Sequence, residues 1–262
     1  MTSGSKVDVV MANAWPPQVV ERVGSWRYRW AGGVTRRANS VLAVGDAGPI
    51  DGLIDRAERF YRERHARPRF QVSCASAPGA LAGTLRDRGY RESGRTLVQL
   101  ADPGDVARRA PSAAHLAHRV DAHPTGAWFD TYWSVESIRG RGLDDAAVCR
   151  DVLLRPDLPA AFVAVLDRSE VVGVGQVVVE DGWAGVQCMA TPPPHRRRGV
   201  ASTVLHALAL QAPALGADRM YLAVMADNVG ARKVYDRAGF TTAYDYSYFA
   251  APRLLARHPT GR

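Results

Sequence analysis

Between Met189 and Phe240 the chain runs through strand, proline turn, arginine–glycine loop, helix, strand and helix, an order that leaves few folds open. An apolar strand ends at Cys188-Met189-Ala190, Pro192–Pro194 turn the chain, and Arg196, Arg197 and Arg198 lead to Gly199. From Val200 the stretch VASTVLHALALQA reads as a helix. A glycine just before a helix lets the backbone pass close to a ligand. The N–H groups of the first turn, at Val200, Ala201 and Ser202, lack intrahelical partners and carry the positive end of the helix dipole. With the three arginines they form a socket for a pyrophosphate. A second strand, Met220 to Val224, precedes a helix bearing Asn228 and Tyr235. Those two residues are about two helical turns apart, so their side chains share a face.

The spacing Arg196-x-x-Gly199-x-Ala201, a long helix, a strand, then Asn228-x-x-Ala231-x-x-x-Tyr235 before Gly239-Phe240 resembles the GNAT superfamily of CoA-dependent acyltransferases. The resemblance implies an α/β fold, with a mixed, mostly antiparallel sheet flanked by helices. It implies acetyl-CoA or another acyl-CoA as co-substrate, with no metal, and direct transfer of the acyl group to an amine. Met189 and Thr191 then border the pantetheine arm, while Arg196 to Ser202 hold the pyrophosphate. Asn228 and Tyr235 are the catalytic pair: Asn228 bonds the pantetheine amides while capping its helix, and Tyr235 protonates the departing thiolate.

Many members of that family carry a Glu on or beside the central strand as a general base. Here the strand offers Gln187 and Cys188, and Glu180 and Asp181 stand at the turn before it. An amine of low pKa or a water relay would make a strong base unnecessary. Cys188 is read as packing, because no histidine is placed to activate it. The acceptor pocket is expected under the helical region His123–Pro156, where Trp128, Tyr132, Trp133, Arg139 and Arg141 cluster. Trp133, Arg139 and Gln187 are the substrate residues drawn from this reading.

The first hundred residues repeat the pattern without its chemistry. Gly89-Tyr90 matches Gly239-Phe240 at an offset of 150 (240 minus 90), which lays Phe70–Ser73 on Met220–Ala223 and the helix opening at Asp51 on the helix at Ala201. At that offset Gly199 meets Pro49, Asn228 meets Pro78, Tyr235 meets Leu85 and Arg196 meets Asp46. The chain therefore reads as a degenerate GNAT-like half, residues 1–104, followed by a catalytic half, residues 105–262. Thr35–Val44 is expected as a strand, with Arg36 and Arg37 on its solvated edge. Ala101–Ala114, small, polar and proline-containing, is expected as the linker.

The 262 residues carry a formal charge of +8 and 47% hydrophobic residues, as suits a packed globular protein. The arginine excess leaves an RNA partner open, specifically an aminoacyl-tRNA as acyl donor. A non-catalytic CoA-binding module is the other alternative. Cys74, Cys149 and Cys188 stand too far apart for a zinc or disulfide framework, and no apolar run reaches membrane-spanning length. The expectation is a cytoplasmic monomer or homodimer acting on a small-molecule amine or a peptide.

Overall fold

A computed structural model describes residues 3–45, 47–140 and 142–252, apart from the side chains of residues 3–5 and 139. In chain order the first half contains α1 (Ser3–Asn13), β1 (Val19–Val23), β2 (Trp26–Trp30), β3 (Val41–Leu42), α2 (Ile50–Arg62), β4 (Arg69–Ser73), α3 (Leu81–Asp87) and β5 (Arg91–Ala101). Then follow α4 (Pro103–Arg109), β6 (Ala117–Asp121), α5 (Gly126–Glu136), α6 (Leu143–Leu154), β7 (Ala160–Asp167), β8 (Glu170–Glu180) and β9 (Trp183–Ala190). The chain ends with α7 (Val200–Ala214), β10 (Arg219–Met225), α8 (Val229–Arg237) and β11 (Thr241–Ala250).

The eleven strands of the described residues join one sheet in the order β1-β2-β3-β4-β11-β5-β10-β9-β8-β7-β6. Its pairs are antiparallel except β3 with β4 and β9 with β10. The last strands of the two halves are exchanged: β11 adds to β4, and β5 adds to β10. The internal repeat is visible in the elements themselves. Adding 150 to α2 gives 200–212, within α7, and adding it to β5 gives 241–251, against β11 at 241–250. Thr96 pairs with Tyr246, its own repeat equivalent, so a local pseudo-twofold axis crosses the sheet between β5 and β11.

The repeat places equivalent helices on the same face. Phe249 packs with the α2–α3 cluster and Leu97 with the α4–α7–α8 cluster, while their strand neighbours Tyr248 and Val98 pack against α1. Thus α2, α3, α4, α7 and α8 cover one face, and α1, α5 and α6 cover the other. Strand β8 is buried along nearly its whole length because helices cover both of its sides. Helix α2 follows directly from its pattern, burying Leu53, Ile54, Ala57, Phe60 and Tyr61. Leu85, where the repeat would put a second Tyr235, is wholly buried among apolar neighbours. Asp46, the equivalent of Arg196, lies outside the described residues.

Two expectations are corrected. The strand expected over Thr35–Val44 reduces to Val41–Leu42. The Asn39 side chain accepts from Ala31 N (2.8 Å) and Gly33 N (2.9 Å) and donates to Ala31 O and Thr35 O, which holds residues 31–39 in a compact loop. The linker contains a helix. Asp102 caps α4 by accepting from Asp105 N at 2.9 Å, Pro103 opens it, and Val106 is fully buried in the core beneath α7.

Candidate active site

The parallel ladder between β9 and β10 stops at Val186 and Leu222, although β9 continues to Ala190 and β10 to Met225. A bulge drives the separation. Across β8 the register shifts between Val174–Ala190 and Gln176–Gln187, so Cys188 and Met189 together face Gly175. Cys188 takes φ 56°, a left-handed conformation that a side chain rarely adopts. The strands diverge, and a cavity of about 840 Å³ opens between them and passes through the sheet.

Each face of the sheet gives this opening a different lining. On the α7–α8 side stand Leu222, Val224, Arg196, Asn228 and Tyr235. On the α1–α5 side stand Trp15, Arg36, Arg37, Tyr132, Glu136 and Tyr248. Along the opened edge of β9, Gln187–Ala190 have no ladder partner on β10. That edge can pair with an extended chain as an added strand would.

Gly199 stands at φ 80° ahead of α7 and, having no side chain, leaves the first-turn N–H groups of Val200, Ala201 and Ser202 open. Two glycines of β8 set the height of that helix. A Cβ on Gly173 would lie 2.2 Å from Val200 Cγ1, and one on Gly175 would lie 2.5 Å from Val204 Cγ1 and 2.7 Å from Met189 Sδ. The α7 N-terminus and the bulge can therefore both sit close to β8. The three arginines are not equivalent. Arg198 is paired with Asp167 at 2.7 Å, and Arg196 Nε donates to Thr191 O at 3.1 Å. Among the described residues no carboxylate pairs with Arg196 or Arg197. Ser202 Oγ donates to Pro111 O at 3.0 Å, tying α7 to the segment after α4.

Tyr235 is 9% exposed, and its hydroxyl has no hydrogen-bond partner among the described residues. Desolvation by burial pushes its pKa up to about 12, so the phenol keeps its proton throughout the neutral range. Asn228 caps α8 by accepting from Ala231 N at 3.2 Å and still lines the cavity. Burial also holds the Cys188 thiol well above the ordinary value, and among the described residues no histidine lines the opening.

The expected substrate residues separate. Gln187 borders the cavity, but its Nε2 donates to Ala14 O (3.0 Å) and Gln176 Oε1 (3.1 Å), which fastens β9 to the segment after α1. Trp133 stacks on Phe129, with ring centroids 6.2 Å apart, and is not part of the lining. Trp128 is a core residue that donates to Val163 O at 3.0 Å. The side chain of Arg139 and all of Arg141 lie outside the described residues. Glu180 accepts from Asn13, and Asp181 pairs with Lys6, both at the far end of β9. Sequence reasoning missed Trp15, Thr96, Tyr246, Tyr248 and Glu136 as lining residues. Glu136 had a usable signal, since it lies one helical turn beyond Tyr132 on α5 and so shares its face.

Known proteins resemble this chain in sequence and in fold. Residues 125–240 match the acetyltransferase (GNAT) family model. The uncharacterized N-acetyltransferase YobR of Bacillus subtilis is 27% identical over 246 residues, spanning 93% of this chain and 96% of the relative. A GCN5-related N-acetyltransferase from Kribbella flavida superimposes with a TM-score of 0.72 at 16% identity, covering 96% of each chain. A tandem GNAT protein from the clavulanic acid biosynthesis pathway does so with a TM-score of 0.65 at 15% identity, covering 94% of this chain and 87% of that one.

Proposed function

We propose, from a chain whose residues 125–240 match the GNAT acetyltransferase family model, that this protein transfers an acyl group, acetyl in the simplest case, from an acyl-CoA directly to an amine. The observation that carries the reading is the opening between β9 and β10, which joins an anion socket on one face of the sheet to a second mouth on the other.

The residues present fit the co-substrate. The first-turn N–H groups of α7, with Arg196 and Arg197, suit its diphosphate. The unpaired edge of Met189 to Thr191 suits an extended amide-bearing arm, with Asn228 as a further hydrogen-bond partner. When bound, acyl-CoA supplies a thioester carbonyl. A backbone N–H at the Cys188–Met189 bulge would hold the carbonyl oxygen as negative charge grows there. The acceptor amine enters from the α1–α5 side, its nitrogen forms the new C–N bond, and the C–S bond breaks. Tyr235 gives its proton to the leaving sulfur and recovers one from solvent, while the amine nitrogen loses one to water. The products are an amide and free CoA thiol. An isolated thiol titrates near 8.5, well below Tyr235 at about 12. The same burial raises the thiolate as it forms, which narrows that difference at the moment of transfer.

The residues N-terminal to 105 form the degenerate half in this reading, framing the acceptor mouth rather than holding a second donor site. The test is a thermal melt with and without acetyl-CoA, followed by thiol release in the presence of a panel of amines. At 100 times its dissociation constant, acetyl-CoA should add roughly 2.7 kcal/mol of stability. No shift in melting temperature, or no amine-dependent thiol release, would refute the assignment.

A further inference from the structure

The acceptor side of the opening is built from segments far apart in the chain, and its charge is unusual. Arg36 and Arg37 come from the loop between β2 and β3, and Tyr246 and Tyr248 from the exchanged strand β11. Both guanidinium groups are held in place. Arg37 lies over the Trp15 ring, 5.4 Å from its centroid, and Arg36 over the Tyr248 ring at 6.0 Å. Asn39 fixes their loop through four hydrogen bonds. Neither arginine forms an ion pair among the described residues, although both line the cavity.

A third guanidinium deepens the positive field. Arg29 is buried on β2, donates to Ser40 and Gln71, and leaves Nη1 without a hydrogen-bond partner among the described residues. It is within Coulombic reach of Arg37, Tyr246 and Tyr248. Asp8 also feels Arg29, but its carboxylate already accepts from Ser73 (2.6 Å) and Tyr244 (2.8 Å). The carboxylates lining the cavity are Glu136 and Asp227, and neither pairs with Arg36 or Arg37. Two guanidinium forks lining the cavity, without an ion-pair partner among the described residues, suit a carboxylate or phosphate from outside.

The geometry points to an acceptor that is an amine carrying an anionic group, carboxylate or phosphate, with that group seated on Arg36 and Arg37 and the nitrogen directed at the β9 bulge. This deepens the acyltransferase reading and rests on it. Arg37 lines the same cavity as Cys188 and Met189 of the bulge, so an anion held by Arg37 shares the opening with the point of attack. Recognition by the first half would also give that half a function independent of any donor site of its own.

The experiment follows thiol release by the full chain with acetyl-CoA and matched amines. One arm sets amino acids against their amides, and the other sets aminoalkyl phosphates against amino alcohols. Acetyl-CoA binding is measured separately by calorimetry. The expected result is that one arm shows kcat/KM at least tenfold higher for the anionic member, which identifies carboxylate or phosphate as the anchor. Arg36→Gln and Arg37→Gln should then raise KM for the anionic amine roughly 10- to 100-fold, with little effect on neutral amines or on the acetyl-CoA dissociation constant. Arg36 is exposed, so its substitution leaves the fold intact even if Arg37→Gln loosens the Trp15 wall. Equal use of anionic and neutral amines, a preference that survives both substitutions, or no anionic amine accepted while acetyl-CoA binds normally would each overturn the proposal. Loss of acetyl-CoA binding by the unaltered protein would instead strike the acyltransferase reading beneath it.

Discussion

Replacing Gly173 with alanine sets a methyl carbon 2.2 Å from Val200 Cγ1, where comfortable carbon contacts lie near 3.5–4.0 Å. Val200 cannot swing aside, because a β-branched side chain in a helix is confined to one rotamer. The first turn of α7 must therefore move away from β8, and that turn carries the N–H groups of the anion socket. Overpacking of this kind costs about 1–3 kcal/mol, which in a chain of this size lowers Tm by roughly 2–12 °C. Acetyl-CoA affinity should fall with it. Val200→Ala alone loses two methyl groups from a buried position, about 1.5 kcal/mol at ~0.8 kcal/mol per group. Because it also removes the clashing carbon, the Gly173→Ala/Val200→Ala double variant should be more stable than the sum of the singles by at least ~1 kcal/mol. Denaturant melts of the four proteins, with calorimetric acetyl-CoA titrations, complete the cycle. Additive melts would refute the packing argument. A loss of stability in Gly173→Ala without weaker acetyl-CoA binding would refute the link between packing and socket.

Other expectations concern the reacting groups. Tyr235→Phe should lower kcat by at least about 100-fold while the acetyl-CoA dissociation constant stays nearly unchanged, as read by steady-state kinetics and calorimetry. Burial holds the Tyr235 proton up to about pH 12, so the rate should show no alkaline loss between pH 7 and pH 10 once the amine is deprotonated. A pH–kcat profile that falls near pH 9 would argue against Tyr235 as the acid. Arg198 is already paired with Asp167, so Arg198→Ala should weaken acetyl-CoA binding by less than about threefold, and Arg197→Ala by about tenfold.

The α7–α8 side of the opening was legible because its parts are local. Arg196 to Ser202 form one loop and one helical turn, and Asn228 and Tyr235 share one short helix, so spacing alone brings them together. The α1–α5 side was not. Trp15, Arg36 and Tyr248 meet only because β11 crosses into the first half of the sheet, a pairing that no local pattern announces. The loop around Arg36 and Arg37 was mistaken for a strand because apolar Val41 and Leu42 follow it, while the bonding of Asn39 is a tertiary fact. Helix α4 was a different failure. Asp102-Pro103 with Asp105 is a cap and a first-turn signal that was present in the sequence, and the surrounding small residues hid it. Gly173 and Gly175 are equally plain as letters, but their use appears only when α7 is laid across them.

The central claim is that acyl-CoA occupies one site per chain, at the α7 N-terminus and the β9–β10 opening. Calorimetric titration of acetyl-CoA into the unaltered chain and into Ala201→Glu tests it most directly. A carboxylate in the first turn favours the helix through its dipole but repels a diphosphate, so the variant should fold normally. The account predicts a stoichiometry of about one acetyl-CoA per chain and loss of that binding in Ala201→Glu, in keeping with the single socket described. Two sites per chain, or binding that Ala201→Glu leaves intact, would contradict it.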